Sequence, residues 1–192
     1  MKNKKDIKKL SVYISYILRH NPSDIGLELM DFGYLNTEEM IKAINNKGEY
    51  SLDLETLRYI VSTDEKKRYS FKAEGSDPYK YIRANQGHSI KGLIMDYKEV
   101  TPPEYLYHGT SSKAWESIQK DGMIKPMSRQ MVHLSKNIDT AKNVGDRHSK
   151  SCDTVILRVN CNNALADGVK FYLSDNEVYL VEKLEIKYVE KI

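Results

Sequence analysis

Near Asp64 the apolar period of this chain changes, and that change limits its fold more than any other feature. Before it, Leu10, Ile14, Ile17 and Leu18 recur at three- and four-residue spacing, as do Met40, Ile41 and Ile44, and then Leu54, Leu57, Ile60 and Val61. Each set falls on one face of a helix. The first helix is expected from about Ile7 to just before Pro22, the second behind the cap Asn36 with Glu39 three residues on, and the third from near Ser51. Beyond it, "RYSFKAEG" and "YKYIRANQG" alternate with period two around Gly75, Ser76, Asp77 and Pro78, which predicts a hairpin with a polar loop. Three helices and a hairpin fit a winged helix-turn-helix module, and equally a generic small α+β lobe. The third helix offers Arg58 beside Asp53 and Glu55, a poor set for reading DNA.

The character shifts again around "DYKEVTPPEYLYHGT", where Pro102 and Pro103 form a stiff element, and a domain boundary is expected between residues 96 and 97. A strand at Tyr105–Tyr107 and a helix over Ser112–Lys120, stopped by Gly122, lead into "MVHLS", "TVILRVN", "KFYLS", "EVYLV" and "LEIKYVE". "NIDTAKNVGDR" is a short helix or loop. The second half therefore reads as a mixed, mainly β domain with two small helices, and the whole chain as α+β. No repeat or Rossmann glycine fingerprint supports a doubly wound nucleotide fold.

Charge narrows the function only weakly. The 30 basic residues exceed the 27 acidic ones by three, which permits a nucleic-acid partner without requiring one. Only seven of the 30 are Arg, so an Arg in a polar loop stands out as a phosphate clamp. Cys152 and Cys161 have no CxxC arrangement and read as two ordinary buried thiols of a reducing compartment. No apolar run approaches the roughly 20 residues of a membrane span. A soluble, cytoplasmic protein without membrane contact is expected, with a monomer as its expected state.

His20, His88, His108, His133 and His148 all sit in short polar contexts rich in Arg, Gly, Ser or Thr. Scattered over both halves, they suggest one site assembled from many loops. No HxH, HExxH or CxxC pair is present, which argues against a structural metal. Arg19, Arg83 and Arg147 accompany the histidines, in "ILRHNP", "IRANQGHS" and "GDRHS". Three arginines without matching carboxylates would repel one another, and a bound dianion would remove that cost. For "ILRHNP" alone, helix-end electrostatics is a sufficient reading, because basic residues in a last turn gain roughly 0.3–1 kcal/mol each from the dipole.

Taken together, "LSVYISYILRHNP", "IRANQGHS", "LYHGT", "VHLSKN", "VGDRHS" and "FYLSDNEVYLV" resemble the RNA 2'-phosphotransferases, from about Leu10 to Val181. This is the NAD-dependent family typified by the tRNA-splicing enzyme, with bacterial members called KptA. The resemblance implies a winged-helix-like RNA- and phosphate-binding lobe over 1–96 and an ADP-ribosyltransferase-like NAD-binding lobe over 97–192. It implies two steps on 2'-phosphorylated RNA. The phosphate displaces nicotinamide from NAD, then the adjacent ribose hydroxyl attacks phosphorus. The products are 2'-OH RNA and ADP-ribose 1'',2''-cyclic phosphate.

Carried over residue by residue, the resemblance makes Arg19, His20, Arg83 and Arg147 catalytic, and assigns NAD to His108, Gly109, Thr110, His133, Leu134, Ser135 and Val178. Asn85, Gln86, Gly87, His88 and Ser89 match the family's link between lobes, with His88 read as architecture. Val178 stands where many ADP-ribosyltransferases carry a catalytic Glu. A phosphate dianion is already a nucleophile and a carboxylate beside it would repel it, which makes that absence intelligible. Two positions depart from the family: Glu177 replaces a small residue such as Gly, and Tyr179 a Trp. Strand alternation is expected to turn Glu177 or its neighbour away. Transfer to a terminal nucleic-acid phosphate or a protein is the rival enzyme reading, and a winged-helix binding protein with a degenerate catalytic lobe the non-enzymatic one.

Overall fold

The structure, a computed structural model, describes residues 3–149 and 152–192. The chain divides into two compact units, Met1–Asp96 and Tyr97–Ile192.

In the first unit, helix α1 (Lys4–Arg19) begins earlier than the apolar spacing suggests, because the Asn3 side chain accepts from the Asp6 amide at 2.9 Å. Leu10, Ile14, Ile17 and Leu18 form its buried face, and each such side chain contributes roughly 1.5–3 kcal/mol. Strand β1 (Tyr34–Asn36) leads into α2 (Thr37–Lys47), whose cap Asn36 accepts from the amides of Glu38 and Glu39. Helix α3 (Leu54–Thr63) starts three residues later than expected. The Asn45 side chain bonds both backbone groups of Leu52 at 2.7 Å and holds that stretch out of the helix, so Asp53 becomes the cap. Leu54 is consequently exposed and Leu52 takes its place in the core.

Strands β2 (Tyr69–Glu74) and β3 (Asp77–Ala84) form the expected hairpin, with the turn narrowed to Gly75 and Ser76; Asp77 and Pro78 already belong to β3. Gly75 takes φ 59°, which suits a tight hairpin turn. β1 pairs antiparallel with the free edge of β3, giving the order β1-β3-β2. The Arg58 guanidinium lies over the Tyr79 ring at 4.5 Å, so the one Arg of the third helix is spent on packing.

In the second unit β4 (Lys98–Glu99) precedes the two prolines, which therefore lie inside this unit. Strand β5 (Tyr105–Ser111) is followed by α4 (Ser112–Asp121), β6 (Met123–Ile124), β7 (Val132–Leu134) and α5 (Ile138–His148). Then come β8 (Thr154–Asn160), α6 (Cys161–Ala166), β9 (Tyr172–Leu173), β10 (Tyr179–Val181), β11 (Leu184–Glu185) and β12 (Val189–Lys191). One sheet has the order β12-β8-β5, a second β4-β9-β10-β7, and β6 pairs with β11. Reciprocal backbone bonds of 2.8 Å between Tyr107 and Ser135 stitch the first two together. Among the described residues this unit carries three α-helices rather than two, since Asn160 caps the short α6 by accepting from the Asn163 amide. Cys161 is buried and its thiol is pushed up to about 12 by burial, whereas Cys152 is only half-buried; both are free.

No helix among the described residues is long and apolar enough to cross a membrane.

Candidate functional site

The end of α1 and the end of β3 bring Arg19, His20 and Arg83 onto one side of the first unit, around the segment Asn85–Ser89. That segment lies inside the first unit and folds back on α1, with the Ser89 amide donating to the Arg19 carbonyl at 2.9 Å. His20 Nδ1 lies 2.9 Å from Ser89 Oγ, which fixes the ring. Gly87 takes φ 90°, and a Cβ there would sit 3.5 Å from Arg19 Nε, so the Arg19 side chain runs across a bare α-carbon. Asn85 anchors the segment by accepting from Ser70 Oγ at 2.6 Å and donating to the Lys67 carbonyl at 2.8 Å.

Arg83 is buried, and its Nη1 donates to Asp96 Oδ1 at 2.5 Å while the guanidinium lies over the Tyr34 ring at 4.7 Å. This corrects the expectation of three arginines without carboxylates. Asp96 and Tyr34 hold the plane of one of them.

His88 is the most enclosed of these groups, at 1% exposure, with neither ring nitrogen hydrogen-bonded to another described residue. Its room comes from Gly33 (φ 80°), where a Cβ would lie 3.1 Å from His88 Nε2. Burial first, and then the charges of Arg19, Arg83 and His20, push its pKa down to about 4. The imidazole is therefore neutral at pH 7. It fills the space beside two guanidiniums without adding a third charge.

In the second unit the geometry starts from two glycines. A Cβ on Gly109 would lie 1.7 Å from the Ala141 carbonyl oxygen, and one on Gly145 2.6 Å from Thr154 Cγ2. Helix α5 thus lies directly on β5, backbone to backbone, and the room left by Gly109 is filled by the helix. Arg147 rides on α5, exposed, its Nε donating to the Asn143 carbonyl at 3.0 Å. His108 donates from Nδ1 to the His133 carbonyl at 3.0 Å, since a carbonyl can only accept. Arg129 Nη1 approaches His133 Nδ1 at 2.5 Å, and because a guanidinium only donates, this nitrogen carries the lone pair. Loss of water and then the Arg147 charge both lower the pKa of Arg129 from its ordinary value. Neither arginine is joined to a carboxylate among the described residues.

The remaining expected NAD residues divide by exposure. Thr110 is buried in β5 and Leu134 is core, at 8% and 1% exposure, whereas His108, His133, Ser135 and Val178 are partly open. Glu177 does not sit in a strand, so alternation is not what directs it. It occupies a turn between β9 and β10 with φ 61°, its amide donating to the Ser174 carbonyl at 2.9 Å, and its side chain is exposed. A left-handed position is where Gly is at ease. Tyr179 is packed in the core. The His148 side chain lies outside the described residues.

Two residues escaped the sequence reading. Asp96 gave no signal, but Arg129 did: it is one of few arginines and stands in a polar stretch four residues before His133. Among the described residues no three His, Cys, Asp or Glu side chains gather as a metal site would require.

Comparison with known proteins places the chain in a family. The family model described as "RNA 2'-phosphotransferase, Tpt1 / KptA family" matches residues 4–183. The chain is 47% identical over 182 residues to a "Probable RNA 2'-phosphotransferase" of Fusobacterium nucleatum, covering 95% of this chain and 97% of that one. Proteins of the same description from Flavobacterium johnsoniae and Nostoc punctiforme are 43% and 40% identical, over 98% and 96% of each chain.

Proposed function

Since the chain belongs to the RNA 2'-phosphotransferase family, we propose that it removes an internal 2'-phosphate from RNA at the expense of NAD. The first unit is then a winged-helix-like RNA-binding lobe and the second an ADP-ribosyltransferase-like lobe. The observation that carries this reading is the Arg19–His20–Arg83 set around a buried neutral His88. Such a set offers many N–H donors, and it can take a phosphate dianion without a competing imidazolium at its centre.

NAD supplies a ribose carbon that bears nicotinamide as leaving group. For that ligand the second unit offers His108, Thr110, His133, Ser135 and Val178, with Gly109 and Leu134 shaping their strands. Two neighbouring guanidiniums, Arg129 and Arg147, suit its diphosphate. Asp96 and Tyr34 keep Arg83 oriented toward the phosphate, so that little reorganisation accompanies reaction. A phosphate oxygen forms the new bond to the ribose carbon, and the electron pair of the broken bond leaves on nicotinamide. In the second step the neighbouring ribose hydroxyl bonds to phosphorus and the RNA 2'-oxygen departs with a proton. Charge builds on the phosphoryl oxygens here, where Arg83 is assigned to stabilise it. His20, held by Ser89, is assigned to handle the proton.

The test is NAD with a synthetic RNA carrying one internal 2'-phosphate. The expected products are nicotinamide, 2'-OH RNA and ADP-ribose 1'',2''-cyclic phosphate. Nicotinamide release that is indifferent to the 2'-phosphate, or that instead follows a terminal phosphate or a protein acceptor, would overturn the reading.

A further inference from the structure

Helix α1 carries a second feature that its packing does not require. Lys4, Lys8, Val12, Tyr16 and His20 recur at strict four-residue spacing, so they form one stripe on the side away from Leu10 and Ile14. The stripe is the floor of a groove of about 510 Å³, with Arg68 on the opposite wall. From Lys4 to His20 it runs roughly 24 Å at 1.5 Å per residue.

Three properties of this stripe point to a ligand. First, Val12 and Tyr16 are 64% and 41% exposed, apolar surface left open beside a reactive end. Second, the Tyr16 ring is held in place: Asn21 Nδ2 donates to its hydroxyl at 2.9 Å, and its centroid stands 6.3 Å from that of His20. Third, lysines in the first turns of a helix oppose the macrodipole, so helix stability does not explain Lys4 and Lys8. Arg68 is neutralised by its ion pair with Asp64, which leaves the two lysines as the net charge of the groove.

We infer that this groove holds the single-stranded RNA that flanks the 2'-phosphate, with one base stacked on Tyr16 and two backbone phosphates met by Lys4 and Lys8. The inference rests on the function proposed above and extends it to a subsite. Stacking suits bases of any kind, so the subsite senses strand length rather than sequence.

The test compares a 2'-phosphorylated dinucleotide with a 2'-phosphorylated single-stranded decamer, in the wild type, in Lys4→Ala/Lys8→Ala and in Tyr16→Ala. For the decamer, KM is expected to rise about ten-fold or more in either variant, with kcat unchanged. For the dinucleotide neither should change. The salt dependence of decamer binding should weaken by about 1.4 in log–log slope for the double variant, as for two lost single-strand phosphate contacts. Equal KM for both RNAs in the wild type, or an equal rise for both in the variants, would overturn the inference. Should the wild type release no nicotinamide with either RNA, the proposed function fails instead. Fluorescence anisotropy of the labelled decamer then still decides the groove: weaker binding by both variants sustains it, and unchanged binding or preference for an acidic peptide refutes it.

Discussion

Replacing Gly109 by Ala tests how the second unit is built and what that construction does. The added Cβ would stand 1.7 Å from the Ala141 oxygen, 2.6 Å from the Ala141 carbonyl carbon and 2.9 Å from the Gly145 nitrogen. Real Cβ contacts essentially never fall below 3.0 Å, so α5 must retreat from β5 by at least 1.3 Å, the difference between 3.0 and 1.7. Every group it meets is backbone, and none can swing aside as a side chain would. Overpacking ordinarily costs about 1–3 kcal/mol, and a rigid backbone on both sides places this case at about 3 or above. The retreat also carries Arg147 with it, and misplacement by about 1 Å can lower turnover roughly 100-fold. Urea denaturation and steady-state nicotinamide release measure the two effects. Gly168→Ala is the control: its φ of 86° penalises any side chain, yet nothing lies within 4 Å. It should lose only about 1–2 kcal/mol and keep its turnover. If Gly109→Ala retained stability within about 1 kcal/mol and normal turnover, the close seating of α5 on β5 would be refuted.

Four further outcomes are expected. His88 binds its proton in the unfolded chain near pH 6.5 but in the folded one only near 4, so its contribution is intact above 6.5 and lost as pH falls toward 4, by about 3 kcal/mol. Denaturation of wild type and His88→Gln at pH 7 and pH 4 should show the variant losing less; parallel losses would refute it. Glu177→Gly should raise stability by about 1 kcal/mol in thermal unfolding, because φ 61° no longer strains a side chain; no gain would mean the turn relaxes freely. Arg129→Ala should raise KM for NAD at least ten-fold while kcat changes only a few-fold, with Arg129→Lys in between; an unchanged KM removes Arg129 from diphosphate binding. Arg19→Lys keeps the charge at the helix end but loses the planar fork, so turnover on 2'-phosphorylated RNA should fall at least ten-fold. Unchanged turnover would return "ILRHNP" to helix-end electrostatics.

What could be read from the residues follows the range of the interactions that decide each element. The buried faces of α1 and α2 and the β2–β3 hairpin depend on neighbours a few residues away, and there periodicity and turn residues agree with the structure. The start of α3 depends on Asn45 reaching Leu52, seven residues on, which periodicity does not register. Strand β1 is three residues long, and its pairing of Tyr34 with Arg83 spans about half of the first unit. A strand that short has no alternation to detect. Helix α6 is hidden for a related reason: its six residues hold fewer than two turns, and only the Asn160 cap marks it.

The candidate site divides along the same line. Arg19 and His20 stand out locally because a Lys pair would serve a helix end equally well, and an Arg–His pair before Pro22 asks for another reason. Nothing local, however, could reveal that Asp96 holds Arg83, that Gly33 opens the space His88 fills, or that a helix backbone fills the space beside Gly109. These three facts share a cause. A group that binds a dianion must be cationic, immobile and dehydrated at once, and each requirement is met by a residue distant in sequence. Asp96 and Tyr34 immobilise Arg83, while Gly33 and Gly87 let His88 and Arg19 lie close to backbone. The residues that would touch the phosphate are therefore the legible ones, because their chemistry is unusual for their place. The residues that hold them are common types in common contexts, and only the fold gives them meaning.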